Sequence, residues 1–250
     1  MTGPLTRGAV VSTFLRSFLI QGSWNYRTML GTGFAWAMLP GLRRIFRDDP
    51  DALSRALQRH LEHFNAHPYL AGVALGAALR LEADGTAPAV VSRFKTAVRG
   101  PLGALGDALV WAAWLPFVAV AALALYWLGL PGGWTVIAFL GVYNVGHIAL
   151  RVWGLRAGLA AGRDVAGRLT RADLAGWARR LEPASVFLIG LLAGALLTAP
   201  DGLREAGAAW IGLAALAFAG GLVGGHRTWR PAAMLTVTAV ALIAAVGVLT

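Results

Sequence analysis

Four polar side chains crowd into an apolar stretch near the N-terminus. In FLRSFLIQGSWNYRTMLGTGFAWAMLPGL, Phe14 to Leu42, Gln21, Ser23, Asn25 and Arg27 lie close together with Trp24 and Tyr26 between them. Apolar packing does not require such a cluster, and a low-dielectric site penalises it unless each group is hydrogen-bonded or faces water or a ligand. Amides supply both donors and acceptors, and an indole supplies a flat apolar face, so the chemistry suits a polyol. The same residues also fit an amphipathic interfacial helix with Trp24 and Tyr26 at headgroup level.

A second candidate is Asp107. It closes the stretch Gly100-Pro101-Leu102-Gly103-Ala104-Leu105-Gly106-Asp107, which reads as a Gly-rich turn at the mouth of a long apolar run. An acid at the edge of such a run is a functional candidate, and Asp is equally a favoured helix cap. The stretch lacks the GK[ST] ending of a phosphate loop, so it reads as a hinge. His60, His63 and His67 fall at i, i+3 and i+7 beside Glu62, a loose approach to helical metal-ligand spacing. His67, however, lies beyond the Asn65-Ala66-His67-Pro68 break, so solvated or capping histidines are expected and no metal or other cofactor.

Composition sets the environment of these groups. The hydrophobic fraction is 57% and the charged fraction 14%, whereas soluble domains carry about 25% charged residues. This is the composition of an integral membrane protein. The net charge of +10 is first a topology signal, and because the basic residues fall between apolar runs no nucleic-acid partner is expected. The absence of cysteine excludes disulfides, thiolate metal sites and a cysteine nucleophile. No cleavable signal peptide is expected, since Arg16, Gln21, Asn25 and Arg27 interrupt the first apolar stretch.

The elements that must position the candidates follow from pattern. Residues 1 to about 47 read as helical and Trp-rich. Asp48-Asp49-Pro50-Asp51 starts a helix running to about Phe64, with Leu53, Leu57, Leu61 and Phe64 on one face. Pro68–Leu81 is apolar but too short to cross a roughly 30 Å hydrocarbon layer, so a re-entrant helix is expected. Arg93–Arg99 reads as a short basic helix. Five apolar runs follow: Ala108–Leu130 with a kink at Pro116, Gly132–Leu150, Ser185–Ala199, Ala206–Gly225 and Pro231–Thr250. Glycines four apart (Gly72/Gly76, Gly154/Gly158/Gly162) would let helices approach closely. The expected fold is therefore an all-α integral membrane protein, with N-terminal amphipathic and re-entrant helices followed by about five membrane-embedded helices. Residues 1–107 form the interfacial part and 108–250 the multi-helix part. An Arg-rich loop, 151–183, falls on the cytoplasmic side by the positive-inside rule, with the N-terminus cytoplasmic and the C-terminus external.

Three signatures carry a resemblance. Ser23, Trp24, Asn25, Tyr26, Met29, Gly33, Phe34 and Pro40 sit where the IID component of mannose-family sugar phosphotransferase systems has its opening motif. His60, Glu62, Phe64, Asn65 and Pro68 match that family's second motif, an Arg-His-Leu-Glu-aromatic-Phe-Asn helix end before a Pro. Gly100, Pro101, Gly103, Gly106 and Asp107 match a Gly-Pro-x-x-Gly-x-Gly-Asp element, with Ala108 where a Pro often follows. Arg27 and Thr28 depart from the pattern, standing where the family usually has Glu and Arg.

The resemblance implies a membrane subunit of the bacterial inner membrane that pairs with a IIC subunit and carries a hexose inward. A cytoplasmic IIB protein, fed by IIA, would phosphorylate the sugar, while IID itself would carry no phosphoryl group. It implies a hetro-oligomer in membrane lipid. Expected substrate contacts are Gln21, Trp24, Asn25, Arg27, Asn65 and Asp107, with Pro68, Gly100, Pro101, Gly103 and Gly106 as hinges. Gln21, Asn25, Asn65 and Asp107 are expected to converge near mid-depth on helix ends, with Arg27 able to pair with Asp107. The alternative is a diverged membrane scaffold or regulator without transport, which the charge reversal at Arg27 favours.

Overall fold

The computed structural model describes residues 5–198, and the side chains of residues 5–192. The runs Ala206–Gly225 and Pro231–Thr250 lie outside the described residues, as does the position of the C-terminus. The chain divides into two compact units, Met1–Ser185 and Val186–Thr250. Among the described residues all regular structure is helical.

In the first unit α1 spans Arg7–Ser17, started by the Thr6 hydroxyl accepting from the Ala9 amide at 3.3 Å. Helix α2 is Gly31–Ile45. The sequence reads as helical through residues 1–47, but residues 18–30 between these helices are turns. Helix α3, Pro50–Leu61, begins as its sequence dictates. The Asp49 carboxylate accepts from the Ala52 amide at 2.8 Å, and Pro50 supplies the fixed φ of the first turn.

Helix α4, Ala71–Ala83, is the centre of the unit, and eleven of its residues are buried. Its 13 residues reach only about 20 Å at 1.5 Å per residue. Ala and Gly dominate it because another helix lies directly on its backbone. That neighbour is α7, Gly132–Ala161. A Cβ at Gly76 would strike the Leu155 carbonyl and the Leu159 amide, and one at Gly158 would strike the Val73 carbonyl and the Ala77 amide. Glycine on both sides is thus a steric requirement of the α4–α7 contact.

Helix α5 runs Pro88–Gly106, a π-helical stretch follows over Asp107–Trp114, and α6 runs Leu115–Trp127. The whole is one 40-residue helix of mean hydropathy 2.2 in its most apolar window. Two expectations change here. Arg93–Arg99 is the middle of α5, not a separate short helix. Gly100, Pro101, Gly103 and Gly106 are helical, so the Gly-rich hinge before Asp107 does not form. The flanking helix runs through it, and Pro101 removes one donor from the ladder without ending it. The irregularity appears further on. Pro116 cannot donate to the carbonyl four residues earlier, and its ring crowds that carbonyl. A widened turn just upstream relieves the conflict.

After α7 a 3-10 turn (Gly162–Asp164) leads into α8, Val165–Ala172, and α9, Leu174–Thr198. Ser185 is thus inside a 25-residue helix, not at the start of a short run. Among the described residues, Gly132–Leu192 is the second segment long and apolar enough to cross a membrane.

A charged network fastens α3, α4 and α5. The Glu82 carboxylate, 3% exposed, receives Arg59 Nη2 at 2.8 and 2.9 Å and Arg59 Nε at 3.0 Å. His60 Nε2 lies 2.8 Å from the same carboxylate. Lys95 Nζ donates to the Arg59 carbonyl at 2.7 Å and stands over the Phe34 ring. Burial pushes the His60 imidazole down to about 4, against the opposing pull of the Glu82 hydrogen bond. His60 is therefore neutral, and its Nε2–H donates to Glu82.

Candidate substrate-binding site

The loop between α1 and α2 is built by Asn25. Its Oδ1 accepts from the Arg27 amide at 3.1 Å and the Thr28 amide at 2.9 Å. Its Nδ2 donates to the Thr28 hydroxyl at 2.9 Å and the Ser23 carbonyl at 3.2 Å. This is the local turn chemistry for which Asn is suited. It holds Met29 at φ 53°, a left-handed conformation that a non-glycine residue seldom adopts. The Met29 amide returns to the Asn25 carbonyl at 2.8 Å. Thr28, one of the two departures from the family pattern, is a working member of this turn.

Phe64 ties the loop to the next one. The Leu30 amide donates to the Phe64 carbonyl at 2.8 Å, and the Phe64 amide to the Thr28 carbonyl at 3.2 Å. Beyond Phe64, the segment before Pro68 presses on α5. Gly103 approaches the Ala66 backbone, and a Cβ at Gly106 would overlap the His67 ring. Gly106 is thus required for close approach rather than for a turn. These contacts link the loop after Asn25 to Phe64, and the segment after Asn65 to the end of α5 just before Asp107.

The side chains divide into two groups. Gln21, Arg27, Asn65 and Asp107 are exposed. Arg27, which sequence reads as able to pair with Asp107, forms no ion pair with it among the described residues, and both side chains are exposed. Asn25 is half-buried and fully engaged in its own turn. Trp24 and Tyr26 are exposed and pack edge to face, centroids 4.7 Å apart. Asp107 is not the N-cap of a membrane helix, since helix runs on both sides of it. It opens the π-helical stretch, a form that recurs at functional sites.

The three histidines occupy three environments. His60 belongs to the Glu82 network, and His63 Nδ1 meets Arg99 Nη1 at 2.8 Å. His67 Nδ1 accepts from the Tyr69 amide at 3.2 Å, leaving the proton on a buried Nε2 that has no hydrogen-bond partner.

His67 also borders a cluster that sequence reasoning missed. Arg151, 5% exposed, donates through Nη1 to the Ser17 carbonyl at 2.8 Å and through Nε to His147 Nε2 at 2.6 Å. Its guanidinium lies 4.7 Å from the Phe18 ring centroid and 5.1 Å from that of Tyr69. Tyr69 stacks on His147 at 3.7 Å, and its hydroxyl meets that of Tyr143 at 3.0 Å. Trp111, from the π-helical stretch, packs on His67 and Tyr69. The available signal was Tyr143, His147 and Arg151 at i, i+4 and i+8 on one face of an apolar helix. Arg151 reads from sequence as the first arginine of a loop.

A helical membrane protein with broken, polar segments joining short buried helices to long apolar ones is the class this arrangement defines. The model of the phosphotransferase mannose/fructose/sorbose family IID component matches residues 4–200. The chain belongs to that family. The mannose-specific EIID component of Escherichia coli K12 is 33% identical over 166 residues, 64% of this chain and 58% of that protein. The sorbose-specific EIID component of Lacticaseibacillus casei is 30% identical over 179 residues, 66% of this chain and 61% of that protein. The matched part thus spans less than two thirds of these relatives' length. A cryo-EM structure of the mannose transporter ManYZ with microcin E492 aligns at TM-score 0.60 and 30% identity, covering 76% of this chain and 70% of that one. A second membrane-protein structure aligns at TM-score 0.66 and 30% identity, over 75% of this chain and 70% of that one.

Proposed function

We propose that this chain is the IID subunit of a sugar phosphotransferase permease, which with a IIC membrane subunit binds a hexose and carries it inward. A IIB protein, charged through IIA, phosphorylates the sugar as it emerges. The observation that carries this reading is the state of Gln21, Asn65 and Asp107. They are exposed, polar and without hydrogen bonds among the described side chains, on elements that the fold knits together beside a distorted apolar helix. Such broken elements are where transporters place substrates. Gln21, Trp24, Asn65 and Asp107 face the sugar, with Arg27 at the edge, and Asn25 acts by holding the loop's shape.

In this reading residues 1–107 are the interfacial part, with α4 as a short helix that does not cross, and residues 108–250 supply the spans. The protein lies in the inner membrane with the Arg-rich end of α7 and α8 cytoplasmic and the C-terminus external. The exposed apolar faces of α6 and α7, including Leu125, Tyr126, Val136 and Ile137, are available to IIC and lipid.

The test is hexose uptake by cells or vesicles holding the chain with its IIC partner and the IIA/IIB proteins. Asp107→Asn and Asn65→Ala should each lower apparent affinity by on the order of tenfold, the loss expected for one strong hydrogen-bonding partner. Unchanged uptake in both variants removes the site. A diverged scaffold without transport is the second reading, favoured by the closed hydrogen bonding of Asn25 and by Arg27. It predicts an assembled complex with no uptake at all, and no gain on Arg27→Glu.

A further inference from the structure

One groove outside the loops described above has its own chemical gradient. It lies along α7 and α8, with a volume of about 720 Å³. Val145, Ile148, Val152, Trp153 and Arg156 line it in that order along α7, and Arg168 lines it from α8. Val145, Ile148, Val152 and Arg156 follow one another at three- and four-residue steps, so they share one face of α7. Val145 is 70% and Ile148 46% exposed, so the apolar part is open. Both arginines are exposed, and neither forms an ion pair among the described residues. No acid lines the groove; Asp164 lies 3.9 Å from Arg171, and Asp173 lies 3.8 and 3.7 Å from Arg179 and Arg180.

We infer that this groove binds one acidic glycerophospholipid, its acyl chain along the apolar wall and its phosphate between Arg156 and Arg168. Two arguments select that occupant. The first is order along the helix: aliphatic residues, then an indole, then cations, which is the order tail, interface and headgroup in a leaflet. From Val145 to Arg156 is eleven residues, or roughly 16 Å at the helical rise, close to half of a roughly 30 Å hydrocarbon core. The second is charge. Two unpaired guanidinium groups at the mouth of an apolar groove favour a phosphodiester with no compensating cation over zwitterionic phosphatidylcholine. Arg also presents a planar fork that matches phosphate oxygens. The site stands whether or not the protein transports sugar, because lipid retention is read without a sugar.

The experiment uses the full chain in detergent micelles, alone and co-purified with its IIC partner. Each sample is titrated with phosphatidylglycerol or phosphatidylcholine carrying brominated acyl chains. The readout is the quenching of indole fluorescence that disappears in Trp153→Phe. At about fivefold per arginine near an anionic headgroup, phosphatidylglycerol should quench this component at roughly twentyfold lower mole fraction than phosphatidylcholine. The preference should fall toward unity in Arg156→Gln/Arg168→Gln and weaken with salt. Both arginines are exposed, so the double variant should keep its helical circular dichroism. Arg168→Glu, which reverses one charge, should abolish the preference on its own. Equal quenching by the two lipids overturns the inference, as does a preference that survives the double variant. Loss of Trp153 quenching in the IIC complex also overturns it and makes the occupant a protein surface.

Discussion

Two buried polar clusters lie in one helical unit and neutralise their cations differently. Between α3, α4 and α5, a carboxylate gathers the charges: Glu82 is held by Arg59 and His60, with Lys95 bonded alongside. Between α1, α7 and the segment before α4, Arg151 is equally buried and meets no carboxylate. Its negative partners are a helix end and ring faces. The Ser17 carbonyl it binds terminates α1, where the helix dipole is negative, while Phe18 and Tyr69 present the negative faces of their rings. A carboxylate cluster is strong but brittle, because loss of the anion strands several cations at once. A dipole-and-ring cluster spreads the same task over weak partners. Each cluster has a buried ring nitrogen without a partner, His60 Nδ1 in the first and His67 Nε2 bordering the second, the latter next to the π-helical stretch that begins at Asp107.

The sharpest test of the difference is Glu82→Ala. Removing one partner of a buried ion pair typically costs 3–5 kcal/mol. The purified protein should lose most of its thermal stability in detergent, or fail to accumulate in membranes. A variant that unfolds within a degree or two of wild type would show that Arg59 and Lys95 reach solvent without help, and the contrast between clusters would collapse.

Acid should find the same cluster. The buried His60 titrates at about 4, below the ordinary 6.5. Between those values the unfolded chain takes up a proton that the folded chain refuses. Stability is therefore full above pH 6.5 and falls as pH drops toward 4, by up to about 3 kcal/mol at roughly 1.4 kcal/mol per pKa unit. Unfolding midpoints across pH 4–7 would show the slope. His60→Gln should flatten it at equal ionic strength, and an unchanged slope in that variant assigns the acid sensitivity to other groups.

Much of this architecture was legible because local rules act alone there. The Asp49–Pro50 start of α3, the break at Pro68 and the all-helical membrane character each follow from a few residues. The Gly72/Gly76 and Gly154/Gly158 spacings mark a real interface, although spacing alone does not say which glycine ladder pairs with which. The candidate site was legible by position rather than by geometry. Asn25, Asn65 and Asp107 stand out in sequence as polar groups among apolar neighbours, whereas in the structure Asn25 is engaged in its own turn and Asn65 and Asp107 are exposed. Helical continuity through Gly100–Gly106 was not legible, since Gly and Pro are turn residues unless a neighbour needs the room, as His67 does at Gly106. The Arg151 cluster was hidden for a related reason. Its partners come from residues 17–18, 67–69 and 143–151, and sequence shows none of those adjacencies.

The smallest expected effect belongs to that hidden cluster. Arg151→Met keeps most of the side-chain volume and removes the charge. No anion is stranded, because the partners are a carbonyl, an imidazole and two rings. The cost is the loss of the bonds to the Ser17 carbonyl and to His147 Nε2, offset in part by no longer burying a guanidinium. A loss of about 1–3 kcal/mol follows from the unpaired acceptors, well below that of Glu82→Ala measured in the same detergent. Arg151→Lys should not recover it fully, since a point charge cannot reach both acceptors in the geometry of a planar fork. If Arg151→Met proves as damaging as Glu82→Ala, then a helix end and two aromatic faces hold a buried cation as firmly as a carboxylate does. The two clusters would then differ in composition but not in strength.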